Sequence, residues 1–467
     1  MKIMNRLTLL IIMALLLMMQ NSTAQVVGTP YIPYADIPFS FLYGGNDYDG
    51  NSGFGIIGST PIISYPLGAT SGSKTSDGGY IITGTSSSSA NGNVTGTSHG
   101  ASDYWVIKLD ASGNIQWQRL YGGTDHDYAV SIMQTADGGY IIGGTSDSSA
   151  SGDVTGINHG SSDYWVVKLN STGTIQWQKL YGGNNAEMFY SIQQTADGGY
   201  ILVGWTLFSS SGDVKGTDYG NNDYWVVKLN SAGTIQWQKR YGGNSNDYGT
   251  CIKQTKDGGY LVAGYSNSSA SGNVTGTSHG SADYWILKLD ASGNIEWQKL
   301  YGGSGNDMAN SIELTTDGGY IIAGYSDSSA SGNVTGTSHG DYDYWIIKLD
   351  TSGNIQWQKL YGGSGTESID KPYSILQTSD GGYILGGKSK SSASGDVTET
   401  GHGDNDVWIL KLDALGNIQW QKLYGGTGSD SMGTIMQNTD GSYTVAASST
   451  SSANGDVTDT SNGTLHI

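Results

Sequence analysis

Two short motifs recur along this chain at a nearly constant spacing, and this repetition constrains the fold more than any other feature. Asp-Gly-Gly-Tyr begins at residues 77, 137, 197, 257, 317 and 380, and Asp-Gly-Ser-Tyr begins at 440. Tyr-Gly-Gly also occurs seven times, whereas a longer segment with Asp-x-Trp, first seen at 103–123, occurs six times. Successive steps are 60 residues, with one of 63. The chain is therefore predicted to be one array of similar units.

One repeat can be divided into four short strands. Residues 131–135, 140–145, 163–169 and 174–181 are rich in β-branched and aromatic residues, and the last two stretches alternate between polar and apolar positions. Asp137-Gly138-Gly139 predicts a tight hairpin turn, because glycine readily adopts positive φ. Four antiparallel strands repeated in this way predict a β-propeller, in which neighbouring sheets bury each other's faces.

The two ends of the chain suggest how such a propeller would close. After the seventh hairpin and its loop, the sequence ends at residues 464–467, where a third strand would begin. Residues 36–45 resemble a fourth strand but precede the first hairpin, so the other three strands of their repeat are not found beside them. We therefore predict an all-β, seven-bladed β-propeller of four-stranded antiparallel blades, closed by an N-terminal strand that completes the last blade. An insertion at about residues 51–67 interrupts the first repeat.

The N-terminal residues predict export. Lys2 and Arg6 precede an apolar run from Leu7 to Met19, and Ser22-Thr-Ala24 has the small residues that signal peptidase requires. The run is too short to cross a bilayer. We therefore expect residues 1–24 to be a Sec signal peptide, residues 25–467 to form a single propeller domain, and the protein to be secreted or placed on the cell surface without a membrane span.

Composition narrows the classes of partner. The chain has a formal net charge of −19, which opposes binding to nucleic acid. Its only cysteine is Cys251, so the sequence contains no disulfide framework. We expect a monomer whose partner is an extracellular glycan or protein.

Several motifs resemble known propeller repeats. The stretch from Lys108 to Trp117, with Ser-Gly-Asn before the tryptophan, resembles the third-to-fourth strand segment of kelch and quinoprotein-type repeats. The combination of Asp-Tyr-Trp-Val-x-Lys-Leu, Trp-Gln-Lys and Asp-Gly-Gly-Tyr is similar to secreted propeller-repeat proteins of Bacteroidota over nearly all of residues 40–463. The resemblance implies a propeller fold and export, but no particular activity or cofactor.

The long loop between the second and third strands is the candidate binding surface, because loops on one face of a propeller commonly carry function. Five repeats place a histidine there, namely His99, His159, His279, His339 and His402. A shared metal is disfavoured because equivalent atoms of successive blades lie too far apart for one ion. Hydrogen bonding within the loops is the favoured interpretation. Twelve tryptophans at two positions per repeat are interpreted as packing residues. Trp205, with Phe208 nearby, stands outside this pattern and is a further ligand-binding candidate on the loop face, beside the five histidines.

One stretch weakly resembles a calcium loop. Asp47, Asp49 and Asn51 offer oxygen ligands at alternate positions, but Ser52 and Gly58 stand where an EF-hand has its glycine and its glutamate. Calcium is thus the only cofactor for which the sequence gives any indication.

The sequence leaves three function classes open. Polar residues recur in every repeat, whereas a catalytic site needs one copy, so we expect an exported, non-enzymatic binding module. An exported hydrolase or lyase with a site at the channel mouth is the first alternative, and a passive cell-surface structural protein is the second.

Overall fold

A computed structural model describes residues 71–90, 92–208, 210–364, 370–451 and 454–457, which all belong to the compact unit Phe39–Ile467. Within these ranges the regular elements are strands. No helix in the described ranges is long and apolar enough to cross a membrane.

The strands form six four-stranded sheets, called blades 1 to 6, and one two-stranded sheet. Blades 1 and 2 contain β1 (Ser71–Lys74), β2 (Tyr80–Ser86), β3 (Asp103–Leu109), β4 (Ile115–Tyr121), β5 (Asp127–Gln134), β6 (Tyr140–Ser146), β7 (Asp163–Leu169) and β8 (Ile175–Tyr181). Blades 3 and 4 contain β9 (Glu187–Gln194), β10 (Tyr200–Leu207), β11 (Asn222–Leu229), β12 (Ile235–Tyr241), β13 (Asp247–Gln254), β14 (Tyr260–Ser266), β15 (Asp283–Leu289) and β16 (Ile295–Tyr301). Blades 5 and 6 contain β17 (Asp307–Leu314), β18 (Tyr320–Ser326), β19 (Asp343–Leu349), β20 (Ile355–Tyr361), β21 (Lys371–Gln377), β22 (Tyr383–Ser389), β23 (Asp406–Leu412) and β24 (Ile418–Tyr424), and the two-stranded sheet contains β25 (Asp430–Gln437) and β26 (Tyr443–Ser449).

The first strands of the sheets contact one another in chain order, and β25 in turn contacts both β21 and β1. The first strands therefore surround a central axis, with the two-stranded sheet between blade 6 and blade 1. Tyr80 of blade 1 donates its hydroxyl to Asn438 Oδ1 at 3.0 Å and accepts a hydrogen bond from Thr444 at 3.0 Å. The chain is thus an all-β propeller of antiparallel blades.

The prediction of seven four-stranded blades is wrong, because the described residues contain six. Counting Asp-Gly-Gly-Tyr counts hairpins, and a hairpin supplies only the first two strands of a blade. The Asp-x-Trp segment supplies the third and fourth strands, and it occurs six times. Residues 36–45, predicted to complete the last blade, and the insertion at about 51–67 lie outside the described residues.

Each Asp-Gly-Gly turn is held by a set of contacts that explains its sequence. In blade 2, Asp137 Oδ1 accepts a hydrogen bond from the Gly139 amide at 3.1 Å, and Asp137 pairs with the buried Lys168 ammonium at 2.9 Å. Gly138 has φ of +79°, whereas a Cβ on Gly139 would collide with the Leu169 carbonyl oxygen. The two glycines are therefore required for different reasons.

The core lies between consecutive blades. Tyr104 of blade 1 packs against Trp165 of blade 2 with ring centroids 4.6 Å apart, and its hydroxyl donates to the Trp165 carbonyl oxygen at 3.1 Å. Trp165 is fully buried, and its indole N–H donates to Gln178 Oε1 at 2.7 Å. The second tryptophan of blade 1, Trp117, contacts Tyr140 of blade 2 at 5.8 Å. The regularly spaced tryptophans of these blades are thus packing residues, as predicted.

Candidate functional site

The five loop histidines each contact an aspartate at the start of the third strand of their own blade. In blade 2, His159 Nδ1 lies 2.8 Å from Asp163 Oδ2, and the His159 amide donates to the same carboxylate oxygen at 3.0 Å. The Asp163 side chain is fully buried. The other four pairs are His99–Asp103 at 3.1 Å, His279–Asp283 at 3.0 Å, His339–Asp343 at 3.3 Å and His402–Asp406 at 3.5 Å.

Some of these histidines also reach the next loop along the ring. His99 Nε2 lies 3.6 Å from Asp153 Oδ2, and His402 Nε2 lies 3.8 Å from Asp456 Oδ2. The histidines therefore partner carboxylates within and between repeats instead of converging on one ligand. The described residues contain no group of three or more His, Cys, Asp or Glu side chains that could hold a metal ion. Asp47, Asp49 and Asn51 lie outside the described residues.

Blade 3 departs from this pattern at two positions together. Tyr219 stands where five repeats have histidine, and Arg240 stands where the other blades have leucine. Arg240 Nη2 lies 3.7 Å from Asp223 Oδ2 and 3.3 Å from Asp218 Oδ1. Both the Arg240 and Asp223 side chains are 1% exposed. The arginine thus contacts Asp223 as histidine contacts the equivalent aspartate in five other repeats, and only the combination of the two positions reveals the exchange.

A second buried carboxyl group lies at the start of each first strand from blade 2 onwards. Asp127 Oδ2 accepts hydrogen bonds from the Gly123 amide at 2.7 Å and from Ser148 Oγ at 2.9 Å. Burial raises the pKa of Asp127 to about 7 and that of its counterpart Glu187 to about 7. These groups recur from blade to blade, so they belong to the scaffold. The sequence does not single them out, because aspartate is also common in turns.

One position near the end of each second strand varies strongly although its neighbours repeat. Its occupants, in chain order, are Thr85, Thr145, Trp205, Tyr265, Tyr325, Lys388 and Ser448. From blade 2 onwards it pairs across the hairpin with Tyr128, Met188, Tyr248, Met308, Lys371 and Ser431, in that order. Both positions lie at the end of the hairpin from which the long loop leaves. Blades 3 to 6 thus present large aromatic or basic residues at one mouth of the ring.

The aromatic side chains of this mouth contact one another between blades. Trp205 of blade 3 lies edge-on to Tyr248 of blade 4 with centroids 5.5 Å apart, and Tyr248 lies 4.9 Å from Tyr265. The Tyr248 hydroxyl accepts a hydrogen bond from Asn222 Nδ2 at 3.0 Å. Phe208, which follows Trp205 in the chain, is 54% exposed. Trp205 is therefore buried and packs against Tyr248, whereas the tyrosines of this group are half-buried.

The cluster continues into blades 5 and 6 with a change of chemistry. Tyr325 and Tyr342 of blade 5 lie edge to face with centroids 5.3 Å apart. Lys371 Nζ of blade 6 lies over both rings, 4.2 Å from the Tyr325 centroid and 5.7 Å from the Tyr342 centroid. Ammonium groups are attracted to aromatic faces at such distances. We call Trp205, Tyr248, Tyr265, Tyr325, Tyr342, Lys371 and Lys388 the mouth cluster.

The two lysines of the mouth cluster are held side by side. Lys371 and Lys388 are direct partners on the antiparallel strands β21 and β22. Burial and the charge of Lys388 lower the pKa of Lys371 to about 8, and burial lowers the pKa of Lys388. No carboxylate of the described residues contributes to either pKa. Two ammonium groups are thus brought together in a partly dehydrated place.

The tyrosines around these lysines are neutral. Burial raises the pKa of Tyr325 and of Tyr342, and it raises the pKa of the neighbouring inner-strand residues Tyr190 and Tyr373 to about 12. Asp327, which is close to Tyr342, also contributes to raising the pKa of Tyr342. The phenols can therefore donate and accept hydrogen bonds but do not act as bases near neutral pH. The positive charge of the site comes from the lysines, and the Asp327 carboxylate lies close to Tyr342.

Sequence reasoning found only part of this site. Trp205 was predicted as a loop-face candidate, and the structure places it in the mouth cluster. The five candidate histidines lie in the loops of the same face, but their contacts are with repeated aspartates. The tyrosines and lysines of the mouth cluster were not predicted, although comparison of the repeats position by position would have shown the variable position.

Comparisons with known proteins add little about activity. No family model matches the chain. The regulatory protein FlaEY of Caulobacter vibrioides is 22% identical over 305 residues, 62% of this chain and 32% of that protein, so this chain spans about a third of its length.

Some solved structures are partly similar to this chain. They include hydrazine synthase of Kuenenia stuttgartiensis, with a TM-score of 0.48, 11% identity and coverage of 84% of this chain and 99% of that chain. Proteins of unknown function from Bacteroides caccae and Dyadobacter fermentans have TM-scores of 0.36 and 0.38, identities of 11% and 12%, and coverage of 68% and 70% of this chain and 89% and 95% of theirs. None of these similarities assigns an activity to this chain.

Proposed function

We propose that this protein is an exported, non-enzymatic binding module that takes an extracellular glycan or protein at the mouth cluster. The observation that carries the proposal is the break in repetition. Positions that hold the scaffold together recur in nearly every blade, whereas the mouth cluster occurs once. Half-buried aromatic side chains with a few polar groups are typical of ligand sites. A passive structural array would not need such a cluster at one place in the ring.

Export is proposed from the leader-like residues 1–24. Expression with the natural N-terminus in a bacterium with Sec export, followed by N-terminal sequencing of the external protein, tests this part. We expect a mature chain that begins at about Gln25. A protein that stays inside the cell with residues 1–24 attached would contradict export.

The repeats supply substitutions with which to test the site. Tyr265→Thr and Tyr325→Thr introduce the residue that blades 1 and 2 carry at the same position, so they are expected to preserve the fold. Leu415→Ser is the matched control, because Leu415 is 68% exposed in the turn between β23 and β24, at the opposite face, and Ser352 occupies its position in blade 5.

Binding is measured with a glycan array and with a pull-down from envelope extract. We expect at least one specific ligand that the native protein and Leu415→Ser both retain and that the double tyrosine variant loses. Absence of ligand in both assays would refute the binding function. Retention of the ligand by the double tyrosine variant would refute the mouth cluster as its site.

A further inference from the structure

We infer that Lys371 and Lys388 form an anion subsite within the mouth cluster and that this subsite takes the carboxylate or sulfate group of an acidic saccharide. The inference rests on the proposed function and names the chemical class of its ligand. It depends on three observations, namely the absence of a carboxylate partner, the uniqueness of the lysine pair and the aromatic rings beside it.

The first observation concerns charge. In blades 1 to 6 the strand-three lysine pairs with the turn aspartate, as Lys168 does with Asp137 at 2.9 Å. Lys371 and Lys388 have no such partner among the described residues, although acidic residues outnumber basic ones by 41 to 22. Two adjacent ammonium groups in a partly dehydrated place repel each other. An anionic ligand would remove this repulsion.

The second observation concerns position. Residues equivalent to Lys388 are threonine, tryptophan, tyrosine or serine, and residues equivalent to Lys371 from blade 2 onwards are tyrosine, methionine or serine. Lysine at both positions occurs in blade 6 alone. The scaffold therefore does not require a charge at either position, and the pair adds something specific to one side of the mouth.

The third observation distinguishes a saccharide from a peptide. Tyr325 and Tyr342 of blade 5 flank Lys371, and Tyr265 lies one blade further round the ring, so half-buried ring faces and hydroxyl groups lie on one side of the charged pair. Such rings can cover the apolar faces of a sugar while their hydroxyls bond its hydroxyl groups. An extended peptide is instead commonly bound along a free strand edge, and β21 is the edge strand of blade 6, so an acidic peptide is included as a competing probe in the experiment.

The experiment uses the mature protein and isothermal titration calorimetry with four probes of similar length. Three are saccharides, namely oligogalacturonate, which carries carboxylates, a chondroitin sulfate oligosaccharide, which carries sulfate, and a neutral xylo-oligosaccharide. The fourth is an oligoglutamate peptide. The test variants are Lys371→Met and Lys388→Thr, which introduce residues found at the equivalent positions of other blades. Lys256→Ala is the matched control, because it removes one exposed charge from a turn at the opposite face and Ala196 occupies its position in blade 3.

We expect the native protein to bind at least one acidic saccharide at least tenfold more tightly than the neutral one. Each lysine variant should weaken that binding by about tenfold or more, while Lys256→Ala changes it by less than about twofold. The better of the two acidic probes identifies the anion. A circular dichroism melt of each variant confirms that the fold is retained.

The contradicting outcomes separate this inference from the proposed function. Equal binding of neutral and acidic saccharides, unaffected by the lysine variants, would refute the anion subsite and leave the binding function intact. Tighter binding of an oligoglutamate peptide than of either acidic saccharide would refute the saccharide class. Failure to bind any probe, glycan array component or envelope protein would remove the proposed function and the inference together.

Discussion

The exchange of histidine for arginine in blade 3 allows a sharp test of how the blades are held together. Arg240→Leu installs the residue found at this position in the other blades, but it leaves Asp223 beside Tyr219, which has no positive charge. The Asp223 carboxylate also accepts a hydrogen bond from the Tyr219 amide at 3.0 Å, and the substitution leaves this bond in place. We therefore expect a leucine that is harmless elsewhere to destabilise blade 3.

The magnitude follows from the geometry of the pair. Arg240 Nη2 and Asp223 Oδ2 are 3.7 Å apart with both side chains 1% exposed. At an effective dielectric constant of about 20, the attraction between unit charges at that distance is about 4.5 kcal/mol. Part of this free energy is recovered in Arg240→Leu because leucine buries apolar surface. Another part is recovered because Asp223 can take up a proton, since burial raises its pKa to about 6. The net loss in free energy of unfolding should be about 2–4 kcal/mol at pH 7.5.

The double variant Tyr219→His/Arg240→Leu restores the combination that five repeats use. Urea unfolding at pH 7.5, followed by tryptophan fluorescence, should show the single variant destabilised and the double variant recovering more than half of the loss. Arg119→Leu is the control, because Arg119 is exposed on β4 and its loss should cost no more than about 0.5 kcal/mol. A double variant as unstable as Arg240→Leu would show that the loss of a side-chain partner for Asp223 does not explain the destabilisation.

Three further predictions follow from other contacts. Burial raises the pKa of Glu187 from 4.5 to about 7, so its contribution to the free energy of unfolding is complete below pH 4.5 and is lost as the pH rises through 7. Glu187→Gln should therefore reduce the fall in the free energy of unfolding between pH 4.5 and 7 by at most about 3 kcal/mol, and an unchanged fall would contradict this. Gly139→Ala should cost about 2–4 kcal/mol in urea unfolding because of the Leu169 carbonyl, whereas Gly138→Ala should cost about 1 kcal/mol; equal costs would refute the distinction. Burial and Lys388 lower the pKa of Lys371 to about 8, and only its ammonium form attracts an anion, so affinity for an acidic saccharide should fall about tenfold from pH 7 to pH 9. Lys371→Arg should abolish most of that fall, because arginine keeps its charge at pH 9. If the whole fall persists in Lys371→Arg, another group is responsible for it.

The strands could be predicted from the sequence because their side chains alternate and their turns carry glycine. The predicted third strand of blade 2, 163–169, matches β7, and the fourth differs from β8 by one residue at its start. The first strand was predicted at 131–135 but begins at Asp127. A register shift between Ala129 and Ser131 interrupts the alternation there, so the pattern does not reveal the beginning of the strand.

The mouth cluster was harder to predict for a different physical reason. Tyr265, Tyr325 and Lys388 come from three blades and are about 60 residues apart in sequence, so no linear motif connects them. Tyrosine and lysine are also ordinary residues in strands of this chain. Trp205 attracted notice only because tryptophan otherwise occupies two fixed positions. The site becomes visible once the ring brings equivalent positions of successive blades to one mouth.

Comparison with the other blades helps to separate residue changes that preserve the scaffold from changes that add something to it. At blade 3, Tyr219 and Arg240 change together, and the second change supplies the side-chain partner of the aspartate that the first removes. Such a pair leaves the scaffold as it is in the other blades. At blade 6, Lys371 and Lys388 also change together, but both add the same charge, and no carboxylate of the described residues pairs with either lysine. This difference from blade 3 is the reason why the inferred anion subsite is placed at blade 6.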